Sequence, residues 1–289
     1  MKKAIIAFLL MGVIGGVVFS LKAVDEKSYK KEQSFDGDQI EEVELNSESW
    51  NIELESSESE KMTITVDGKQ QNSENNPVSI NKVGNKIKVQ QQDSTGGILG
   101  NLSFGKKGTI HISLPNNGVN MITVNNSYGD IEINNIVTKD IIITNDSGSK
   151  NIKGLSSDKG KITSNDGELS IMDSSLNDLS IVSTNGDSYI TRVTSPKLEI
   201  TSTSGEVLMK EMKEGESLFV ETGSGDITVS YKEAPSSLVL TANSDSADVT
   251  IDLGGYREEK NTEKSHEGKI GDASNRLELV SREGVINVN

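Results

Sequence analysis

The chain contains no cysteine, which excludes disulfides, thiolate zinc sites, a nucleophilic thiol and lipid attachment through a cysteine. It has only two histidines. His111 lies on the polar face of the strand-like run GTIHISL and His266 in a charged stretch. Neither has a partner histidine at ligand spacing, which argues against a metal site or a histidine-based triad. Aromatic residues make up 4% of the chain and hydrophobic residues 33%. With 27 glycines and abundant Ser, Thr, Asn and Asp, that mixture suits short strands and turns better than a helical globule. Positive charge is also short: 29 Lys and Arg face 44 Asp and Glu, a net charge of −15. Such a surface repels nucleic acid and anionic headgroups, so nucleic acid is not expected as a partner.

What the chain does have begins at its N-terminus. Lys2 and Lys3 precede the uncharged run AIIAFLLMGVIGGVVFSL, Ala4 to Leu21. At a rise of roughly 1.5 Å per residue this run reaches about 27 Å, close to a hydrocarbon core. A cleavable signal usually has a shorter apolar region and a small-x-small site, whereas the best candidate here ends at Ala23 after Leu21 and Lys22. The run therefore predicts an uncleaved transmembrane anchor over residues 1–23, with a cleaved signal as the alternative. Residues 24–34 read as a polar tether. Lys22, Lys27, Lys30 and Lys31 count against a cytoplasmic N-terminus, but long polar domains translocate largely regardless of charge. The expectation is a single-pass protein held in the cell membrane by residues 4–21, with its C-terminal domain extracytoplasmic.

The rest of the chain is periodic. Gly129, Gly148, Gly167, Gly186 and Gly205 are spaced by 19 residues, Gly225 follows after 20, and Ala247 and Gly284 continue the series at longer intervals. Four positions around each marker are apolar in a period-two rhythm, the strand signature. Seven before stand Ile122, Ile141, Leu179, Leu198, Leu218, Leu240 and Leu277, with Gly160 the exception. Five before come Val124, Ile143, Ile162, Ile181, Ile200, Val220 and Leu279, and four after run from Ile133 to Val288 without a break. Two after, the pattern holds at Ile131, Leu169, Val207, Ile227, Val249 and Ile286 but breaks at Lys150 and Ser188. Each repeat reads as strand, tight turn, strand, looser turn, with Gly at the tight turn for its tolerance of positive φ. Four aliphatic side chains are too few to fold alone, so the repeats must stack. The predicted fold is all-β: a single-chain β-solenoid of about 19-residue repeats over 121–289. A charged polar insertion, 254–275, reads as a surface loop between the last two coils. Residues 35–120 form a divergent N-terminal β region, either the same solenoid degrading into a cap or a separate small β domain. Val43, Leu45, Ile52 and Leu54 fit the template if Trp50 takes the marker position, and Trp50 is then a core residue of that end.

A lysine-led anchor followed by S-x-x-G-[DE]-[IL]-x-[IV] repeats resembles the bacterial putative-adhesin family, the toastrack-type β-solenoids. The resemblance covers nearly the whole chain. It implies a cell-surface β-helix with no established enzymatic activity and no catalytic residues to carry over. In length and layout it extends to a membrane-anchored member encoded with a cell-envelope stress system, which implies an accessory role there.

Two residue groups are candidate sites. The position after each marker is acidic at Asp130, Glu168, Asp187, Glu206, Asp226 and Asp248, with Ser149 and Val285 interrupting. Stacking would align these carboxylates into a cation-facing row or leave them as solvated turn residues that accept local N–H bonds. In the segment GGILGNLSFGKKG, the apolar Ile98, Leu99, Leu102 and Phe104 precede Lys106 and Lys107. They could touch membrane or a partner protein, or fold back over the solenoid end. No cofactor is expected. The functional expectation is a non-enzymatic surface binding or accessory module, with envelope or membrane proteins as partners. Alternatives are an adhesin or structural spacer and, third, a polysaccharide-active enzyme; self-association is left open by the exposed end coils.

Overall fold

The structure is a computed structural model that describes residues 27–70, 76–92 and 108–289. The expected anchor over 1–23 and the apolar segment with Ile98, Leu99, Leu102 and Phe104 lie outside the described residues. Among the described residues no helix is long and apolar enough to cross a membrane.

The strands, in chain order, begin with β1 (Lys27–Asp36), β2 (Glu42–Ser47), β3 (Asn51–Ser57), β4 (Lys61–Gln70), β5 (Val78–Val83), β6 (Lys86–Gln91) and β7 (Gly108–Pro115). Then come β8 (Val119–Asn126), β9 (Ile131–Asn134), β10 (Val137–Asn145), β11 (Lys150–Lys153), β12 (Ser156–Asp166), β13 (Leu169–Met172), β14 (Ser175–Asn185) and β15 (Ser188–Thr191). The series ends with β16 (Lys197–Ser204), β17 (Val207–Met212), β18 (Ser217–Thr222), β19 (Ile227–Tyr231), β20 (Leu238–Ser244), β21 (Val249–Ile251), β22 (Arg257–Thr262), β23 (Ser265–Ile270), β24 (Asn275–Ser281) and β25 (Ile286–Val288).

Each coil sends one strand into each of two sheets. One sheet runs β1-β4-β7-β3-β9-β11-β13-β15-β17-β19-β25-β21, the other β22-β23-β20-β24-β18-β16-β14-β12-β10-β8-β2-β6-β5. At about 4.8 Å per strand the twelve-stranded sheet is roughly 50 Å long. Parallel register aligns the apolar columns of successive coils, Ile141 beside Ile122 and Ile152 beside both Ile133 and Ile171. Every member of the sequence-defined quartets except Gly160, Lys150, Ser188 and the half-buried Ile251 is a buried hydrophobic residue, so the rod's interior is a continuous aliphatic spine. Lys150 and Ser188 face inward as well, both at 0% exposure. At Gly160 the missing side chain is replaced by Leu176, whose Cδ2 lies 2.5 Å from where a Cβ would stand.

The divergent region 35–120 shares these two sheets. Val43 and Leu45 pair with Ile122 and Val124, and Ile52 and Leu54 with Ile131 and Ile133, so β2 and β3 form a regular coil with Trp50 buried at its turn. Beyond that coil β6 and β7 still run parallel to β2 and β3, and antiparallel pairing begins outside them, β4 with β7, β1 with β4 and β5 with β6. The polar tether expected over 24–34 is strand from Lys27 onward, the outermost strand at this end.

The C-terminal end departs further from the expectation. The polar insertion 254–275 is not a plain loop: β22 and β23 form an antiparallel hairpin that pairs onto β20. The coils are also not stacked in chain order. β24 and β25 lie between β18/β19 and β20/β21, so Leu277 pairs with both Leu218 and Leu240. All-aliphatic registers are equally satisfied in either order, so periodicity alone carries no information on which coils are neighbours.

Candidate functional site

The tight turns form one long edge of the rod, and its chemistry begins three residues before each marker. Ser47, Asn126, Asn145, Ser164, Ser183, Ser202, Thr222, Ser244 and Ser281 all occupy that position, and all are buried. A buried hydroxyl or amide needs partners, and here these are the turn backbones. The Ser281 hydroxyl accepts the Gly284 N–H at 2.8 Å and donates to the Gly225 carbonyl of the next coil at 3.1 Å. Ser244 accepts the Ala247 N–H at 3.1 Å and donates to the Gly284 carbonyl at 2.9 Å. Asn145 donates to the carbonyls of Asn126 and Gly129, each at 3.2 Å. The S-x-x-G motif carries this column in plain view, since its first residue stands three before the marker.

The markers are glycine for the expected reason at some turns and for a second reason at all of them. Gly148, Gly167 and Gly205 have positive φ, whereas Gly129, Gly186, Gly225 and Gly284 do not. All seven lie with the would-be Cβ 1.8–2.5 Å from a carbonyl oxygen of the adjacent coil. Close stacking excludes a side chain at all seven, and positive φ adds to that exclusion at Gly148, Gly167 and Gly205.

The acidic row sits on these turns. Backbone bonds fix its spatial order: Ile131 donates to Ser149, Lys150 to Glu168, Leu169 to Asp187, Ser188 to Glu206, Val207 to Asp226, Ile227 to Val285 and Ile286 to Asp248. Glu168, Asp187, Glu206 and Asp226 are therefore consecutive, while Ser149 separates Asp130 and Val285 separates Asp248. Asp130, Asp187 and Asp226 each accept through Oδ1 the N–H one coil on, from Ser149 at 3.0 Å, Glu206 at 2.8 Å and Val285 at 2.8 Å. The row is brought together, but these carboxylates are engaged as turn caps. The Tyr189 hydroxyl donates to Asp187 at 3.3 Å; burial first, then the charges of Asp187, Glu206 and Glu168, push its pKa up. Among the described residues no three acidic or histidine side chains are grouped to hold a metal ion.

Because an amide oxygen can replace Oδ1, Asp187→Asn should shift stability by no more than about 0.5 kcal/mol, whereas Asp187→Ala should cost about 1 kcal/mol. Thermal melts of the two variants check this; a larger loss in the Asn variant would mean that the negative charge itself holds the edge.

The opposite, looser-turn edge was not foreseen. Asn135, Asp173, Arg192 and Glu211 stack there with φ of 51–54°, joined by Gly154 at 67°. Arg192 Nε donates to Asp173 Oδ1 at 2.6 Å and Nη2 to Oδ2 at 3.2 Å, and Nη1 reaches Glu211 at 3.4 Å. That guanidinium holds the Asp173 carboxyl below its ordinary pKa. The residue types differ from coil to coil, so composition gave no signal. The two histidines stay apart: His111 lies between Glu53 and Glu55, and His266 pairs with Glu258 in the C-terminal hairpin.

Comparison with known proteins places this architecture. No curated protein matches the chain. Among solved structures, a putative adhesin from Bacteroides fragilis superimposes with a TM-score of 0.58 at 14% identity, covering 90% of this chain and 97% of that one. Another so described, from Parabacteroides distasonis, gives 0.49 at 11% identity, with 91% and 98% covered. The first likeness is one of fold. Residues 40–289, nearly the whole stacked region, match the family model described as Toastrack DUF4097, and the chain belongs to that family.

Proposed function

We propose that this protein is a non-enzymatic surface binding module, anchored in the cytoplasmic membrane by residues 4–21 and projecting its rod outside the cell. The observation that carries the binding role is the filled interior: aliphatic columns occupy the space between the sheets, leaving the outer faces and turn edges as the surfaces for recognition. The anchor rests on the apolar run at Ala4–Leu21 and on where the chain joins the rod. β1 is the terminal strand of the twelve-stranded sheet, so the chain enters at the rod's end and the C-terminal cap stands farthest from the entry point. Layout and length resemble LiaG, encoded with the Lia cell-envelope stress system of Bacillus-type bacteria, and support an accessory role in envelope stress with a membrane protein as partner.

The test compares the full chain with one lacking residues 1–26 in bacterial cells, by fractionation, external protease digestion and in-cell crosslinking. The full chain should sediment with membranes, be cleaved from outside and capture a membrane protein, and the truncated chain should lose the first property. Sedimentation of both chains alike would reject the anchor. Capture of an extracellular ligand instead would turn the reading to an adhesin, and polysaccharide turnover by the purified protein would reject the non-enzymatic part.

A further inference from the structure

The C-terminal cap is joined to the rod by a strand pair inserted between two coils that precede it in the chain. Among the described residues β20 pairs only with β23 and β24, and β21 only with β25, so the cap from Leu238 to Ile270 gains its sheet continuity with β18 and β19 through residues 275–289. That segment is bonded on both sides. Toward the rod, Arg276 donates to the Glu216 carbonyl at 2.9 Å and Ile227 to the Val285 carbonyl at 2.9 Å. Toward the cap, Asn275 donates to the Ser237 carbonyl at 3.0 Å and Ile286 to the Asp248 carbonyl at 3.1 Å. Its side chains add no identity of their own, because Leu277, Leu279, Ile286 and Val288 repeat the apolar quartet of every other coil.

The connection into this segment is short and strained. Residues 271–274 must cross the end of β20 to reach β24, since β23 and β24 flank it. Within them Gly271 and Ala273 have φ of 56° and 57°, and a Cβ on Gly271 would stand 2.1 Å from the Ser236 carbonyl oxygen. A non-glycine residue in the left-handed region carries backbone strain that is released when the connection extends. A short, strained hinge leading into a repeat-like strand pair is the arrangement that favours exchange between chains.

We propose that residues 275–289 exchange between two copies of this chain, each placing its strand pair in the slot between β18/β19 and β20/β21 of the other. The bonds within the slot are the same whether the segment comes from its own chain or another, so the balance is set by hinge strain and protein concentration. Exchange is independent of the proposed binding role and requires no other partner.

The absence of native cysteine allows a direct test. Thr228 and Asn287 are register partners on the outer face of β19 and β25. Full-length Thr228→Cys and Asn287→Cys chains, distinguishable by a mass tag, are mixed in detergent, unfolded, refolded at high concentration and oxidised. Exchange gives a disulfide between unlike chains as the main crosslinked product. A double-cysteine chain refolded alone at low concentration gives the intramolecular disulfide and shows that the pair can form. Unlike-chain crosslinks no more frequent than like-chain ones would overturn the proposal. Deleting Asp272 and Ala273, which shortens the crossing, should raise the crosslinked fraction severalfold; an unchanged fraction would equally count against the hinge as its cause.

Discussion

Gly225→Ala should cost this protein about 3 kcal/mol or more, although it adds a single methyl group to a position whose φ is permissive. The methyl carbon would stand 1.8 Å from the carbonyl oxygen of Gly205 and 2.6 Å from its carbon. Neither atom is the end of a flexible side chain, so the clash is relieved only by moving one coil away from the next. Moving a coil breaks the register that holds Val207 beside Ile227 and Met209 beside Val229. In a stack where each coil rests on its neighbours, the damage spreads to both interfaces. For a chain of this size the expected fall in melting temperature is about 6–12 °C. Gly254→Ala is the control: the nearest atom to its new methyl is the Ala234 Cβ at 3.8 Å, and its φ is not in the left-handed range. That variant should stay within about 0.5 kcal/mol of the parent. Equal losses in the two variants would show that chain flexibility, and not stacking distance, is what the marker glycines supply.

Much of this was legible because a solenoid writes its core as a repeat. The quartets predicted which residues face inward, and Trp50 could be placed as a marker from Val43, Leu45, Ile52 and Leu54 alone. What the repeat could not convey is order. Leu277 and Leu279 fit beside Leu218 and Val220 as well as beside Leu240 and Ala242, so nothing in their pattern says that the last coil is inserted rather than appended. The hairpin within 254–275 was hidden for a related reason: β22 is exposed along its whole length and has no period-two signal. The acidic row was visible as a column, but its bonding to the next turn was not, because an Asp that caps a neighbouring N–H looks in sequence like an Asp that faces water. Lys150 is the sharpest case. A lysine at a core position reads as a break in the pattern, yet its methylene stem continues the aliphatic column and its ammonium finds the turn carbonyls.

That lysine makes the stability of the rod depend on pH in an unusual direction. Lys150 Nζ donates to the Asn145 side-chain oxygen at 3.4 Å, to the carbonyls of Asp166 at 2.9 Å and Gly167 at 3.3 Å, and to the Ser164 hydroxyl. Even so, burial lowers its pKa to about 8, against the opposing pull of Asp166 and Asp130. The unfolded chain, near 10.5, then holds a proton that the folded chain has released throughout the interval between these values. Stability contributed by this group therefore rises as pH climbs from 8 toward 10.5, by about 2.5 kcal/mol between pH 7 and 10. Tyr256, pushed up to about 12 by burial and by Glu258, Glu259 and Glu267, acts the other way, because the unfolded phenol loses its proton first and stability falls above pH 10. Lys150→Met removes only the first effect. Its unbranched side chain can fill the same column, and the acceptors it leaves without the Nζ donor lower stability by an amount that does not vary with pH over this range. Melting curves of parent and variant at intervals from pH 7 to 10 should show the parent gaining about 5–10 °C relative to the variant. Tyr256 and the other shared groups cancel in that difference. Parallel pH profiles would mean that the four acceptors around Nζ stabilise the ammonium as well as water does, and that its burial carries no net electrostatic cost.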